Sequence, residues 1–403
     1  MNEAISKYHK TLETQFETLK KDKSAPENIT YFIDVLKNHH CAEATNLENA
    51  VFVFGVSVPE EIIRALDLTP IWMLGGSFHT GALVEDTFPR DVDPVVRSSY
   101  GLYNLFIENY SGENKAIIPY HNDSFRKLSW LMKSEGTQVF ELDIPSVKDM
   151  DKSRKIFNSN ILKMIGSLEK SNGCKLKAYK LYNACKEVGQ AKQAVRDLIQ
   201  LCTKRSNVLS TEILHSIVST YYATRDLKRY KREVERVILE VEQRELEHDP
   251  SAQEVWLLGS PIFFPNNKLI SMMGALGAQA VIAQNENSMF LKPCILQDES
   301  DCRDMVRSIS EHYYQINNMP VNVEESCSLI ESEIRGVVFH ILKGEVVYDY
   351  DLFKYEKYFK ERDIPVLRIE TDYSPEDKEQ LKIRIEAFVE MLSQNQRGEI
   401  YVG

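Results

Sequence analysis

The chain has 403 residues, of which 43% are hydrophobic and 27% charged, and its formal net charge is −11. This balance is typical of an ordinary globular protein with two or three domains, and the negative charge argues against general affinity for nucleic acid or acidic membranes. No run approaches the roughly 18 apolar residues of a membrane span, and residues 1–6 lack the basic and apolar parts of a signal peptide, so we expect a cytoplasmic protein that does not bind membranes.

The chain divides into four predicted parts. Residues 1–47 carry apolar residues at helical spacing and predict a helical arm packed on the first domain. Residues 48–150 alternate apolar strands with helices and predict a first flavodoxin-like α/β domain, with a polar connection between the strands near 70–74 and 116–119. Residues 151–250 show no strand signal and predict a helical segment, and residues 251–403 predict a second flavodoxin-like α/β domain.

The second domain ends in a parallel βαβ pattern, formed by an apolar run at 336–342, an amphipathic segment and a second run at 364–371. Ligands of open α/β sheets bind outside the carboxyl ends of the strands. Five residues fall at this predicted rim: Lys343, Gly344, Glu345, Thr371 and Asp372. The final helix is predicted to start with Ser374 as N-cap and Pro375 in its first turn.

Several segments resemble the 2-hydroxyacyl-CoA dehydratase family, which includes the benzoyl-CoA reductase subunits. They are Val-Pro-Glu-Glu-Ile at 58–62, Pro-Val-Val-Arg-Ser-Ser-Tyr-Gly at 94–101, the strand at 336–342 and Ile-Pro-Val-Leu-Arg-Ile-Glu-Thr-Asp-Tyr-Ser at 364–374. Their order and spacing match the family from about residue 50 to 393. The resemblance implies two flavodoxin-like domains with added helices and a heterodimer of two related subunits.

The resemblance also implies a [4Fe–4S] cluster in the cleft between the domains, held by one cysteine from each of three strand-end loops. The implied reaction is the dehydration of an (R)-2-hydroxyacyl-CoA to the enoyl-CoA. The proton β to the thioester carbonyl is not acidic, so the family is understood to inject one electron and to pass through a ketyl radical. A separate ATP-hydrolysing iron–sulfur activator supplies that electron.

This sequence departs from the family at all three ligand positions, where Asp93, Asn122 and Glu345 stand instead of cysteine. Ser260 likewise follows a strand end where some relatives carry cysteine. Iron–sulfur clusters need thiolate ligands in nearly every case. We therefore expect this chain to bind no cofactor itself and the [4Fe–4S] cluster to lie on a cysteine-bearing paralogue.

The seven cysteines are an odd number, scattered and never in C-x-x-C spacing, so they predict neither a disulfide framework nor a zinc site. They are Cys41, Cys174, Cys185, Cys202, Cys294, Cys302 and Cys327. We interpret them as reduced and mostly buried thiols, including the three nearest the second crevice in the sequence, Cys294, Cys302 and Cys327.

The replaced positions allow more than one interpretation. Two carboxylates and an amide oxygen suit Mg²⁺, Ca²⁺ or Mn²⁺, and His79, His121 or His340 extends the choice to iron or zinc. The alternative, which we favour, is a polar pocket whose residues bond to one another and to water. Candidate contacts to an acyl-CoA phosphate or thioester are Arg97, Ser98, Ser99, Tyr100 and Ser260. Residues 97–99 are equally suited to starting a helix.

Three functions follow from these alternatives. The first, which we predict, is a non-cluster subunit of a 2-hydroxyacyl-CoA dehydratase-type lyase, paired with a cysteine-bearing paralogue and served by the activator. The second is a cluster-free enzyme of the same fold that uses Asp93, His121, Asn122 and Glu345 for metal or acid–base chemistry. The third is a scaffold protein without catalysis.

Overall fold

A computed structural model describes residues 2–42, 49–89, 91–108, 110–145, 151–205, 208–245, 253–282, 288–296, 301–318, 323–328 and 334–400. The N-terminal elements are α1 (Asn2–Lys21), α2 (Ile29–His40), β1 (Ala50–Val53), α3 (Glu60–Ala65), β2 (Thr69–Trp72), α4 (Phe78–Ala82), α5 (Pro94–Ile107), β3 (Lys115–Tyr120), α6 (Asp123–Ser134) and β4 (Gln138–Asp143). Four helices follow: α7 (Asp151–Asn172), α8 (Ala178–Lys204), α9 (Thr211–Ala223) and α10 (Leu227–Gln243). The C-terminal elements are β5 (Gln253–Gly259), α11 (Lys268–Ala275), β6 (Ala278–Ile282), α12 (Ser288–Leu291), α13 (Cys302–Asn318), α14 (Val323–Ser328), β7 (Gly336–Leu342), α15 (Val347–Lys360), β8 (Val366–Thr371) and α16 (Lys378–Ile400).

The strands form two four-stranded sheets of the same design. The first has the order β2-β1-β3-β4 and the second the order β6-β5-β7-β8, and all neighbours within each sheet are parallel. This strand order is that of flavodoxin-like folds. The predicted fold class is therefore confirmed, while the exact domain boundaries stay a prediction.

The strands at the centre of each sheet are fully buried because their side chains are apolar on both faces. Every residue of β1 is buried, and so is every residue of β7. At the end of β5, Gly259 has a φ of +103°, and a Cβ on it would overlap the carbonyl oxygen of His340. Only glycine fits there, and the chain leaves the sheet at Ser260.

The N-terminal arm packs on the first sheet's half of the molecule, and it also contacts the second half. Helix α1 packs on α4, and the hydroxyl of Tyr8 bonds to Nδ1 of His40 at 2.8 Å. The ring of Phe16 also stacks on that of Phe264, beyond β5, with 5.9 Å between centroids. The arm is thus a strap across the two sheets.

Between residues 151 and 245, the regular elements that the structure describes are the helices α7 to α10. The apolar seam of α10 is buried along its length and consists of Leu227, Tyr230, Val234, Val237 and Val241. Helix α10 packs mainly on α8. None of the helices in the described part of the chain combines the length and the apolar character that crossing a bilayer requires.

A buried polar network joins the helical segment to α3 and α13. Lys192 of α8 donates to the hydroxyl of Tyr313 on α13 at 3.1 Å, and its Nζ lies 3.6 Å from Oε1 of Glu61. Tyr313 donates to Oε2 of Glu61 at 2.9 Å, and Tyr221 of α9 donates to Oε2 of Glu60 at 2.6 Å. Since all five side chains are buried, removal of one charge leaves another without its partner.

The polar connection between β2 and β3 contains α4 and the buried helix α5, and residues 97–99, one of whose two interpretations was a helix start, lie inside α5. One local prediction was wrong. The last helix begins at Lys378, and Ser374 is not its N-cap. In this turn, Nζ of Lys268 donates to the carbonyl oxygen of Ser374 at 2.9 Å and to Asp377 at 2.8 Å.

Candidate functional site

The site begins at Asp93, the buried residue that precedes α5. Its Oδ1 accepts a hydrogen bond from the backbone N–H of Val95 at 2.8 Å, which makes Asp93 the N-cap of α5, with Pro94 in the first turn. Its own backbone N–H donates to Oγ of Ser124 at 3.1 Å. The side chain is therefore fixed at the carboxyl end of the first sheet, with Oδ2 directed away from its own helix.

Asn122 occupies the equivalent position before α6. Its Oδ1 accepts from the backbone N–H groups of Ser124 and Phe125, at 3.0 and 3.3 Å. Because the amide oxygen caps α6, the NH₂ group faces Asp93 and donates to its Oδ2 at 3.3 Å. Two helix N-termini thus bring Asp93 and Asn122 together.

Glu345 reaches the same point from the second sheet, just after β7. Its carboxyl group is hydrogen-bonded to that of Asp93 and to the side chain of Ser260. The Oε2 atom is buried and has no hydrogen-bond partner among the described residues. The structure therefore brings together the three positions at which the sequence lacks cysteine.

Burial raises the pKa of both carboxyl groups at this point of the structure. Burial, followed by the negative charge of Asp93, raises the pKa of Glu345 well above its usual range. Burial also raises the pKa of Asp93, although hydrogen bonds from Glu345, Val95 and Asn122 and the charge of Arg97 act in the opposite direction. Each carboxyl group therefore favours its protonated form more than a free carboxyl group does, and the rise in pKa is larger for Glu345 than for Asp93.

Few oxygen atoms at the Asp93–Asn122–Glu345 site are free to coordinate a hard cation such as Mg²⁺ or Ca²⁺. The oxygen of Asn122 is directed to the backbone of α6, and Oδ1 of Asp93 to the backbone of α5. The described residues contain no group of three or more His, Cys, Asp or Glu side chains placed to hold a metal ion. The arrangement is therefore better suited to holding a proton than to holding Mg²⁺ or Ca²⁺.

The residues present also do not fit an iron–sulfur cluster. The space between the three positions is closed by direct contacts of Asp93 with Asn122 and Glu345. All seven cysteines are free, and four of them are buried. Burial raises the pKa of Cys202, Cys294 and Cys327 to about 12 in each case, whereas a cluster ligand must be a thiolate.

The candidate substrate-binding residues of α5 are engaged with the protein itself. Oγ of Ser99 accepts from the N–H of Gly75 at 2.9 Å, and Oγ of Ser98 accepts from the N–H of Ser77 at 2.9 Å. Tyr100 donates to Glu135 at 2.5 Å. The two serines position the loop after β2, and contact with a ligand by any of the three side chains stays a prediction.

The remaining candidate site residues, Ser260, Arg97 and His121, differ in how they relate to the Asp93–Glu345 pair. Ser260 belongs to the site, since it bonds to Glu345 and its Oγ also accepts from the N–H of Leu342 at 2.9 Å. Arg97 is half-buried, and its charge acts on Asp93. His121 is exposed, with its ring 5.5 Å from that of Phe125, so it lies at the mouth of the site.

Sequence reasoning missed Lys268, which organises the rim of the second sheet. Its Nζ bonds to Oγ1 of Thr371 at 2.6 Å and to the carbonyl oxygen of Asp372 at 2.7 Å, besides its contacts with Ser374 and Asp377. Lys343 pairs with Asp372 at 2.9 Å. The available signal was a lysine at the start of a helix after β5, at the carboxyl edge of a parallel sheet.

Comparison with known proteins shows sequence similarity between this chain and dehydratase subunits. A family model described as 2-hydroxyglutaryl-CoA dehydratase, D-component, matches residues 55–392. A protein of Escherichia coli (strain K12) named "Putative dehydratase subunit YjiM" is 24% identical over 347 residues, which cover 83% of this chain and 89% of that protein. The (R)-phenyllactyl-CoA dehydratase beta subunit of Clostridium sporogenes is 20% identical over 366 residues, which cover 86% of this chain and 92% of that protein.

Proposed function

This chain belongs to the 2-hydroxyglutaryl-CoA dehydratase D-component family, and we propose that it is a subunit of a 2-hydroxyacyl-CoA dehydratase-type lyase. The assembled enzyme would remove water from an (R)-2-hydroxyacyl-CoA and release the enoyl-CoA. The family match over residues 55–392 and the extended similarity to two proteins named as dehydratase subunits support this proposal.

One observation supports the roles that we assign to this chain and to its partners within that enzyme. The three loops that meet at Asp93, Asn122 and Glu345 contribute two carboxyl groups with raised pKa values and one amide, and no thiol. We therefore assign the [4Fe–4S] cluster to a cysteine-bearing paralogue and its reduction to an ATP-dependent activator. This chain would supply one wall of the acyl-CoA cleft and a polar site that holds a proton.

The experiment is an iron and acid-labile sulfide determination under strict exclusion of oxygen, on the chain alone and co-expressed with the nearest cysteine-bearing family member. We expect neither element on the isolated chain, both in the complex, and dehydration of a 2-hydroxyacyl-CoA only by the complex with its activator. Iron and sulfide on the isolated chain would overturn the assignment. A useful control is the triple variant Asp93→Cys, Asn122→Cys and Glu345→Cys, which should gain iron if the three positions correspond to the family's ligands.

A second candidate function is cluster-free acid–base chemistry by the chain alone. The buried and unpartnered Oε2 of Glu345 favours it, because a carboxyl pair that shares a proton contains both an acid and a base. A reaction of the isolated chain that is lost in Glu345→Gln and in Asp93→Asn would support it. Asp123→Asn, at an exposed carboxylate beside the site, is the matched control.

A further inference from the structure

Three buried histidines meet where the N-terminal arm joins the rest of the molecule. His39 and His40 end helix α2, and His215 lies on α9, against which α2 packs. All three line one cavity of about 20 Å³, together with side chains that include Trp72 on β2 and Phe264 in the loop after β5. Their exposed fractions are 8%, 4% and 4%. We call His39, His40 and His215 the junction histidines.

The walls of this cavity suit a neutral imidazole and not a charged one. The described residues that line it include no carboxylate, and apart from the junction histidines only Ser219 and Tyr222 carry a polar group other than the indole of Trp72. The volume has room for about one water molecule, which is too little to hydrate an imidazolium. A proton on a junction histidine would therefore be poorly solvated while the arm is in place.

The groups that face the junction histidines from the packed elements carry no negative charge. On α1, the hydroxyl of Tyr8 bonds to Nδ1 of His40 at 2.8 Å. On β2, the backbone of Trp72 is hydrogen-bonded to His39, and the positive charge of Arg225, between α9 and α10, acts on the same ring. Helix α5 and the loop after β5 contribute apolar rings. Protonation would thus add a cation beside another cation.

Burial accordingly lowers the pKa of all three side chains. The pKa of His39 falls to about 4, first through burial and then through the charge of Arg225, and burial lowers the pKa of His215 to about 4. For His40, burial and then the charge of His39 lower the pKa well below its usual value. A histidine in water takes up its proton near pH 6.5, so acid favours any conformation that exposes these rings.

The turn of the arm at residues 22–28 is attached independently of the histidines. Arg244, after α10, donates to the carbonyl oxygens of Ser24 and Ala25 at 2.7 and 3.0 Å. Nδ2 of Asn28 donates to the carbonyl oxygen of Glu233 on α10 at 3.0 Å. The junction histidines lie at the opposite end of the hairpin that α1 and α2 form. The arm therefore has a pinned turn and an end held at an acid-sensitive junction.

We propose that the N-terminal arm is an acid-operated latch. Protonation of the junction histidines opens the end of the arm that carries His39 and His40, and the arm swings about its pinned turn before either sheet unfolds. Since α2 forms one wall of the cavity, this opening also brings His215 into water. The inference is independent of the proposed function.

Opening of the latch would release the loop after β5. Phe264 in that loop is held by two rings of the arm, since Phe16 stacks on it with 5.9 Å between centroids and the ring of His40 lies 5.0 Å away. The same loop begins at Ser260, whose side chain bonds to Glu345 in the candidate site. The latch thus links the pH to the freedom of a loop that contributes to the site.

The test is hydrogen–deuterium exchange with mass spectrometry on the full chain at about pH 7.5 and about pH 5.5, with rates corrected for the intrinsic pH dependence of amide exchange. Helices of 20 and 12 residues are marginal in water once detached, so opening exposes the amides of α1 and α2. A shift from about 6.5 to about 4 gives about tenfold more opening for each histidine at the lower pH, hence about 100-fold for His39 and His215 together. Amides of β1 and β3 should exchange more slowly than those of the arm at both pH values.

Two variants locate the effect. His215→Leu removes one titrating group without touching the arm, so the acceleration should fall from about 100-fold to about tenfold. His9→Leu is the control, because His9 is half-buried on α1 and is not among the residues that line the cavity, and it should leave the 100-fold acceleration unchanged. If His215→Leu does not fold, His215→Gln keeps a polar, neutral side chain and serves the same purpose.

Three results would count against the latch. Amides of α1 and β1 that exchange equally fast at about pH 5.5 would show global unfolding in place of local opening. Corrected exchange of the arm that is the same at both pH values would show that the junction does not respond to acid. An undiminished acceleration in His215→Leu would remove the cavity from the explanation and overturn the proposal.

Discussion

Lowering the pH from about 7.5 to about 5 should destabilise this fold strongly, through histidines buried in the neutral form. Burial lowers the pKa of His39 to about 4, with a smaller contribution from the charge of Arg225, and burial lowers the pKa of His215 to about 4. His340 on β7 also has a pKa lowered to about 4, mainly by burial. His39 and His215 line one small cavity, and Nε2 of His215 has no partner among the described residues.

The direction and the magnitude of this loss of stability follow from the linkage between folding and proton binding. An unfolded histidine takes up a proton as the pH falls below its ordinary pKa of about 6.5, while the folded one stays neutral until the pH approaches 4. The stabilisation is complete above about pH 6.5 and is lost as the pH falls towards 4. At pH 5 each histidine costs about 2 kcal/mol, so the three together cost about 6 kcal/mol, which is comparable to the whole stability of many domains.

The assay is urea denaturation at both pH values, followed by tryptophan fluorescence, on the wild type and on His215→Leu. Leucine fills similar space without titrating, so the loss of unfolding free energy between the two pH values should shrink by about 2 kcal/mol. Val218→Ala, in the same helix and cavity, is the control, because it removes packing at both pH values alike. An unchanged pH dependence in His215→Leu would refute the reasoning.

Three further predictions concern buried charge and close packing. Glu345→Gln should raise the urea midpoint of unfolding at neutral pH but not near pH 4. The pKa of Glu345 is raised in the folded state, so the protonated side chain stabilises the fold at low pH and this contribution is lost as the pH rises. Lys192→Met should cost about 3–5 kcal/mol by leaving Glu61 buried without its cation, and adding Glu61→Gln should restore most of the loss of unfolding free energy. Gly76→Ala should lower the free energy of unfolding by about 1–3 kcal/mol or more, since the new Cβ would overlap the carbonyl oxygen of Phe263. Gly274→Ala is the control in the same denaturation assay and should be neutral or slightly stabilising, because the space around Gly274 is open.

Much of the architecture could be predicted from local pattern. The apolar runs of β1 and β7 exceed what a surface strand tolerates, and their order with intervening helices led to the two parallel sheets that the structure contains. Helix α5 stayed one of two interpretations of residues 97–99 because its buried residues include Ser98 and Ser99, which are polar, although Asp93 and Pro94 have the signature of a helix start.

The site could be predicted only as a set of positions. The resemblance indicated Asp93, Asn122 and Glu345 one by one, but their mutual hydrogen bonds and the raised pKa values of the two carboxyl groups depend on how two sheets meet. The start of α16 was wrong for a similar reason, since Lys268 contacts Asp377 from 109 positions away. Such contacts leave no local periodicity in the sequence.

The strap formed by α1 is one of several contacts that join the two sheets. Phe16 stacks on Phe264, while the neighbouring Phe263 lies against Gly76 and the hydroxyl of Tyr373 bonds to the carbonyl oxygen of Gly75 at 3.3 Å. Pulling the two sheets apart would therefore break contacts made by the N-terminal arm, by the loop after β5 and by the loop after β8.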